Sequence, residues 1–575
     1  MIYKDKYFQW LNNNYFDEET REELKNISGD EKEIEDRFYK DLEFGTGGLR
    51  GIIGAGTNRI NIYTVRRATQ GLCNYILNYG EEGKDKGVAI AYDSRFKSRE
   101  FAEETAKVIA GNGIKVYLFK SLRPTPELSF AVREKKCIAG IVITASHNPP
   151  EYNGYKVYWE DGGQIVSHAN KIIKEVKEID NFEDIKIANF EEAKSLGLIK
   201  ILGEEMDDLY INRLKEEVIN KEVVEKVGDE FKIVYTPIHG TGNIPVRRVL
   251  TEIGFKNVLV VKKQELPDPN FPTVKYPNPE EKEVFELAIE LAKKENADII
   301  MGTDPDSDRV GVVVKNNEGE YTILNGNQIG CLLTEYILSS SEKKGILPEN
   351  AAVIKTIVTS PMANIIGDNY GVKVIDVLTG FKYIGEMILQ FEKDNSYKYI
   401  FGFEESYGSL KGDYVRDKDA VNACMMIGEM AAYYKSNGLS LYEALVNLYE
   451  KYGYYEENLH SLTLKGKEGL EKINSILKDF RENTPDSFNG KKVVEFRDYK
   501  TRESINMLKG TKNKIHLPES DVLYFTLEDE SWVAIRPSGT EPKIKFYFGV
   551  KGDSFKDSKD KLNSLCNWVV NYVSK

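Results

Sequence analysis

Residues 137–150 read Cys137-Ile138-Ala139-Gly140-Ile141-Val142-Ile143-Thr144-Ala145-Ser146-His147-Asn148-Pro149-Pro150, an apolar run that stops at a cluster of turn formers. The stretch Ile138–Ile143 carries no charge, which suits a strand buried on both faces of a parallel sheet. In such sheets ligands gather beyond the carboxyl ends of the strands, where Ser146 would stand. A polar turn that merely closes a strand is the plainer alternative, since Ser, Asn and Pro are ordinary turn residues. The surrounding chain decides between them.

Outward from this stretch the pattern is regular. Strand Val88–Tyr92, helix Ser98–Ala110, strand Ile114–Phe119 and helix Thr125–Lys135 lead into the Ser146 strand, a β-α-β-α-β order. The same order returns from Phe231: strand Lys232–Tyr235, a glycine-containing loop at 236–242, a helix to Ile253, strand Asn257–Val261, helix Glu280–Glu295 and strand Ala297–Met301, ending in Thr303-Asp304-Pro305-Asp306-Ser307-Asp308-Arg309. A third copy runs from Ala351 through helix Pro361–Tyr370, strand Val372–Val377, the loop Thr379-Gly380-Phe381-Lys382 and strand Tyr397–Phe401 to Phe403-Glu404-Glu405-Ser406. From about residue 455 the composition shifts to a smaller α+β unit with strands near Val493, Val522–Leu527, Trp532–Arg536 and Ile544–Val550 and a closing helix Phe555–Val573. The fold class expected is therefore α/β: three similar mixed-sheet domains over 1–207, 208–325 and 326–455, and a C-terminal α+β domain over 456–575. Ahead of the first strand, residues 1–42 read as helices whose Phe8, Trp10, Leu11 and Tyr15 are spaced to face a core.

Composition excludes several classes of function. With 92 acidic against 79 basic residues the net charge is -13, which argues against a nucleic-acid backbone as main partner but leaves room for a small phosphorylated ligand. Five scattered cysteines, Cys73, Cys137, Cys331, Cys424 and Cys566, offer neither a disulfide framework nor a zinc site, and a reducing cytoplasm fits them. The apolar stretch Val421–Tyr434 is broken by Glu429 and the N-terminus lacks an apolar signal core, so no membrane segment is expected.

Each α/β copy ends a strand in a loop fit for chemistry. Asp304, Asp306 and Asp308 alternate, so in an extended segment they project to one side and present hard oxygens to one cation, best Mg²⁺. A calcium EF-hand would need Gly at Arg309 and Glu at Lys315. A serine hydrolase is disfavoured because no GxSxG elbow surrounds Ser146, and neighbours on a strand, such as Ser146 and His147, point opposite ways. A serine beside a cation site instead fits one that carries phosphate. The glycine loop 45–51 with Arg50 and the hairpin Arg536-Pro537-Ser538-Gly539-Thr540 both suit a phosphate. The five prolines of 266–280 read as a rigid loop near a site, and His168 and His239 stay unassigned.

The set TASHNP at 144–149, DPDSDR at 304–309, FEES at 403–406 and RPSGTEPK at 536–543 resembles the α-D-phosphohexomutases, in the family's order and over essentially the whole chain. Its length and the PDPNFPTVKYPNPE stretch look most like the bacterial phosphoglucomutase branch related to phosphoglucomutase-2 and phosphopentomutases. The resemblance implies four domains around one central cleft, a phosphoserine at Ser146, and one Mg²⁺ held by that phosphoserine with Asp304, Asp306 and Asp308. It further implies sugar contacts from Glu404 and Ser406, a phosphate clamp at Arg536, Ser538, Gly539 and Thr540, Arg309 on the substrate, and Arg50, Lys156, Lys382 and His147 near the transferring proton and phosphate. The activity implied is phosphoryl transfer between the 1 and 6 positions of glucose, with glucose 1,6-bisphosphate as intermediate. Phosphopentomutase or phosphomannomutase activity on the same machinery is the alternative, and an inactive sugar-phosphate binding protein the remote one. Small sugar phosphates are the expected partners, without nucleic acid or membrane, on a monomer or dimer. Phe403 stands where many relatives have glycine, and its bulk is expected to bear on the sugar pocket.

Overall fold

The computed structural model describes residues 2–45, 47–464, 466–537 and 543–574. It comprises two compact units, one of Met1–Asn325, Phe381–Ile400 and Ser406–Gly438, the other of Gly326–Gly380, Phe401–Glu405 and Leu439–Lys575.

In the first unit a six-stranded sheet runs in the order Gly48–Ile52, Tyr152–Trp159, Ala139–Ile143, Val88–Tyr92, Val116–Phe119, Ile199–Leu202. Every residue of Val88–Tyr92 and Ala139–Ile143 is buried, as their uncharged sequences require of strands covered on both faces. These two strands pair in parallel, and from Val88–Tyr92 the chain crosses to Val116–Phe119 on one side and returns to Ala139–Ile143 on the other. The Asp93 and Ser146 loops leave from the carboxyl ends of this pair, at the point where the strand order reverses. Tyr152–Trp159 joins antiparallel and carries Gly48–Ile52 on its far edge. Gly48 has φ of +132°, and a Cβ there would meet the Tyr155 carbonyl oxygen, so close strand pairing by itself requires this glycine.

A second sheet of the same unit runs Tyr321–Leu324, Val310–Lys315, Ile299–Thr303, Lys232–Thr236, Asn257–Val260. The aspartate loop joins the antiparallel pair Ile299–Thr303 and Val310–Lys315. Helix Glu280–Glu295 of the sequence reading is shortened: Asn278 turns the chain through its side chain onto Glu280 N–H, a 3₁₀ turn covers Lys282–Phe285, and the α-helix spans Glu286–Glu295. At the N-terminus, Tyr7 and Trp10 pack inward from helix Ile2–Asn12, whereas Phe8 is 53% exposed because it falls between them on the opposite face.

The second unit holds the parallel pair Ala351–Thr356 and Lys373–Val377. It also holds an eight-stranded antiparallel sheet covered by helices Gly466–Glu482 and Phe555–Val573. Strand Tyr454–Thr463 and helix Gly466–Glu482 escaped the sequence reading; the strand's mostly polar residues lie on a half-solvated sheet. Among the described residues no helix is long and apolar enough to cross a membrane.

Candidate active site

Ser146 is the third residue after strand Ala139–Ile143 and takes a left-handed backbone, φ +53°, so strand alternation no longer governs its direction. Contrary to that alternation, its Oγ lies 3.1 Å from His147 Nδ1; it also donates to Asp304 Oδ2 at 2.8 Å. A serine has one proton to give, so the His147 contact calls for the Nδ1–H tautomer. Desolvation, then the guanidiniums of Arg309 and Arg50, hold the His147 imidazole well below its usual range, and the ring is neutral.

The loop is fixed from beneath by two buried residues that follow strand Val88–Tyr92. Asp93 accepts the Thr144 hydroxyl at 2.6 Å and that of Ser98 at 2.7 Å, and Thr144 Oγ1 in turn accepts Ser146 N–H at 2.7 Å. Arg95 donates to the carbonyls of Ser146 (2.6 Å), Asn148, Pro149 (2.7 Å) and Tyr152 (3.0 Å). Its guanidinium stands over the ring of Phe271, 5.1 Å to the centroid, and Phe271 is fully buried with φ +46° inside the proline-rich loop. Hydrogen bonds to a charged donor contribute about 1.5–3 kcal/mol each, so this fork defines the serine's place.

The aspartates converge through a turn instead of an extended run, with Ser307 at φ +53°. One carboxylate oxygen from each of Asp304, Asp306 and Asp308 lies within 4.8 Å of the others, and all three side chains are buried. Protein groups take both oxygens of Asp304 and one side of Asp306 and of Asp308. Asp304 Oδ1 accepts the backbone N–H groups of Asp308 and Arg309, both at 3.1 Å. Asp306 Oδ2 accepts Thr125 Oγ1 (2.8 Å) and Lys156 Nζ (2.7 Å), and Asp308 Oδ2 faces Lys418 Nζ (2.9 Å) and Lys156 Nζ (3.3 Å). Asp306 Oδ1 and Asp308 Oδ1 are buried without a hydrogen-bond partner. Three clustered carboxylates, two of them with an orphaned oxygen, fit a hard divalent cation such as Mg²⁺. Burial, then the neighbouring Asp306 and Asp308, push the Asp304 carboxyl well above its usual range, which is the repulsion a cation would relieve. Burial opposes the charges of Asp306 and Asp308 too, but Lys156 on the first, and Lys418 with Lys156 on the second, hold both below the usual range.

Other expected residues lie in the same unit. Arg50, opposite Gly154 across the strand pair, is close enough for its charge to act on His147 and Arg95. Arg309 bonds Glu280 Oε1 at 2.9 Å, and the Tyr407 carbonyl, next to Ser406, accepts Val310 N–H at 3.1 Å. Lys382 begins helix Phe381–Asp394 with its ammonium 5.1 Å from the centre of the Tyr383 ring. Lys156 is paired with Asp306 and Asp308.

In the second unit Glu404 is buried, Glu405 accepts the hydroxyls of Thr356 (2.9 Å) and Thr359 (3.3 Å), and Arg536 lies opposite Lys545 in the last hairpin. The phenol of Tyr547 is pushed up by burial and then by Glu405, and opposed by Arg536, so these groups share one neighbourhood. Ser538, Gly539 and Thr540 lie outside the described residues. The expectation for Phe403 is corrected: it is 1% exposed, stacks on Phe401 and lies against Gly330, whose missing side chain makes its room.

Three models of the phosphoglucomutase/phosphomannomutase α/β/α domains match in succession, domain I over residues 41–183, domain II over 208–319 and domain III over 325–452. The chain belongs to the phosphoglucomutase/phosphomannomutase family. It is 38% identical over 545 residues to the phosphoglucomutase of Staphylococcus aureus strain USA300, covering 94% of this chain and 96% of that one. To the phosphoglucomutase of Staphylococcus saprophyticus it is 36% identical over 551 residues, with the same coverage. Its fold is similar to that of the open form of the Paramecium phosphoprotein pp63/parafusin, a phosphoglucomutase, at TM-score 0.66 and 16% identity over 93% of this chain and 94% of that one. A phosphoglucomutase/phosphomannomutase family protein from Burkholderia thailandensis gives TM-score 0.64 and 18% identity over 91% and 97%.

Within this family member the sequence reading missed Asp93, Arg95, Thr125, Phe271, Lys418 and Tyr547. Only the first two left a signal: Asp93-Ser94-Arg95 directly follows a wholly apolar strand, as Ser146 nearly does.

Proposed function

We propose that this protein is a phosphoglucomutase, interconverting α-D-glucose 1-phosphate and glucose 6-phosphate through a phosphoserine at Ser146 and enzyme-bound glucose 1,6-bisphosphate. The observation that carries this reading is the contact of Ser146 Oγ with Asp304, inside a cluster with orphaned carboxylate oxygens. Mg²⁺ held by Asp304, Asp306, Asp308 and the phosphoserine would neutralise charge on the transferring phosphoryl group. In the first half-reaction the bond from phosphorus to Ser146 Oγ breaks as one forms to a free sugar hydroxyl. The hydroxyl proton ends on Ser146 Oγ, with Lys382 as the relay. In the second half-reaction the other phosphate of the bisphosphate returns to Ser146, and the serine's proton goes to the sugar oxygen it leaves. Arg95 and Thr144 keep the serine aimed, and neutral His147 can donate to Oγ. Binding of the sugar and its second phosphate is assigned, on the motifs alone, to Arg309, Ser406, Glu404 and the segment Arg536–Thr540. The buried place of Phe403 supports leaving the sugar choice with glucose, as in the 36–38% identical relatives.

Glucose, mannose and ribose 1-phosphates, each with a catalytic amount of its bisphosphate, test the reading. Glucose 1-phosphate is expected to lead in kcat/KM by at least about tenfold, and Ser146→Ala to lose about 10⁴-fold in turnover while still binding sugar phosphate. A lead for ribose or mannose would overturn the substrate, and an active Ser146→Ala the phosphoserine.

A further inference from the structure

Lys418 reaches the aspartate cluster from a loop that is itself carefully held. The following helix, Ala420–Ser436, is capped by Asp419, which accepts Asn422 N–H at 2.9 Å and the hydroxyls of Tyr210 and Tyr414, both at 2.7 Å. That helix begins on the aspartate loop, since Ala420 N–H donates to the Ser307 carbonyl at 3.1 Å. One residue earlier, Asp417 accepts the hydroxyl of Tyr158, which shares a strand face with Lys156. The stem of Lys418 runs across Gly408, where a Cβ would collide with it. The ammonium is thereby delivered to Asp308 Oδ2 at 2.9 Å with its side chain only 13% exposed.

A buried ion pair is weak evidence for stability, because desolvating both charges offsets most of their attraction. The charge balance points elsewhere. Lys156 contacts Asp306 and Asp308, Lys418 contacts Asp308 and, at 3.5 Å, Asp417, and Arg309, 3.8 Å from Asp308 Oδ1, is matched by Glu280. Removing Lys418 would take one positive charge away from the face of this cluster. We infer that Lys418 is a counter-charge that holds down the cation affinity of the aspartate cluster, so that the cation is retained tightly only when Ser146 carries a phosphate dianion. The inference rests on the phosphoserine and cation reading above.

Mn²⁺ titration of the dephosphorylated enzyme, read by calorimetry or electron paramagnetic resonance, tests it. Lys418→Met should bind Mn²⁺ at least fivefold more tightly than wild type, and Lys418→Arg, which keeps the charge, should match wild type. A merely structural lysine predicts the reverse, since a disturbed site binds more weakly. Unchanged or weaker binding by Lys418→Met would overturn the inference while leaving the proposed function intact, whereas a wild type that binds no Mn²⁺ would remove the cation site itself. Should Lys418→Met not fold, Lys418→Gln, which retains a donor to Asp308, is held to the same expectation. Failure of both to fold would overturn the inference by making Lys418 a requirement of the fold.

Discussion

Ser146 and Ser307 both follow a buried strand and both stand at φ +53°, yet their loops are completed in opposite ways. Around Ser146 the backbone is cross-linked: Arg95 takes four carbonyls, and Thr144, held by Asp93, takes the serine's N–H. Around Ser307 the backbone is tied as well, but two carboxylate oxygens are left buried and unanswered. The first loop is closed by internal hydrogen bonds, and the second keeps two buried acceptors without a protein donor. A position that must not move is best built from internal bonds; a position that must accept an ion has to remain incomplete.

Removing the fork should show the first half of this contrast most strongly. Arg95→Ala leaves four carbonyls and the Asp93 carboxylate uncompensated, and is expected to lower unfolding stability by about 3–5 kcal/mol in denaturant titrations. A loss under about 1 kcal/mol would mean the loop is held by something else. Next in size, saturating Mg²⁺ at about a hundred times its Kd should stabilise the wild type by about 2.7 kcal/mol, and Asp306→Asn should abolish that gain. Equal stabilisation of wild type and Asp306→Asn would show that the orphaned oxygens do not bind the ion.

A half-buried carboxylate outside the cluster sharpens the comparison at the small end. Glu457 Oε1 has no partner, and burial pushes its carboxyl up to about 7. With a raised folded pKa the protonated form is favoured by folding, so stability falls as pH rises from about 4.5 to about 7 and stays lower above. Glu457→Gln should therefore melt about 2 °C above wild type at pH 8 and level with it at pH 4.5. A pH-independent difference would show that the Glu457 carboxyl is not raised by folding. Asp306 and Asp308 leave two such oxygens beside Asp304, whereas Glu457 leaves one apart from any such cluster.

How much of this was legible follows from the range over which each signal acts. The strands at Val88–Tyr92 and Ala139–Ile143 announced themselves because burial on both faces forbids polar residues, and the aspartate loop because its acids are adjacent in sequence. Arg95 left only its place after an apolar strand, since it acts on carbonyls that every residue possesses, and Lys418 was silent, since it arrives from more than a hundred positions away. Alternation misled twice, at Ser146 and at the aspartates, because it lapses where a strand ends in a left-handed turn. Phe403 misled differently: a motif shows which side chain is unusual, not that Gly330 opposite was already hollowed to receive it.

Strand Tyr152–Trp159 has a consequence for the lengths evolution can tolerate. Lys156 on the aspartates and Tyr158 on Asp417 share one face, while Tyr155 on the other reaches Thr69 in the core and Gly154 lies opposite Arg50. A single residue inserted or deleted between Pro150 and Asn153 would shift this register by one and exchange the faces, putting an ammonium in the apolar core and a core tyrosine among carboxylates. The interval from Ser146 to Lys156 thus works as a ruler of fixed length, so insertions and deletions should be excluded from it in any variant that stays active.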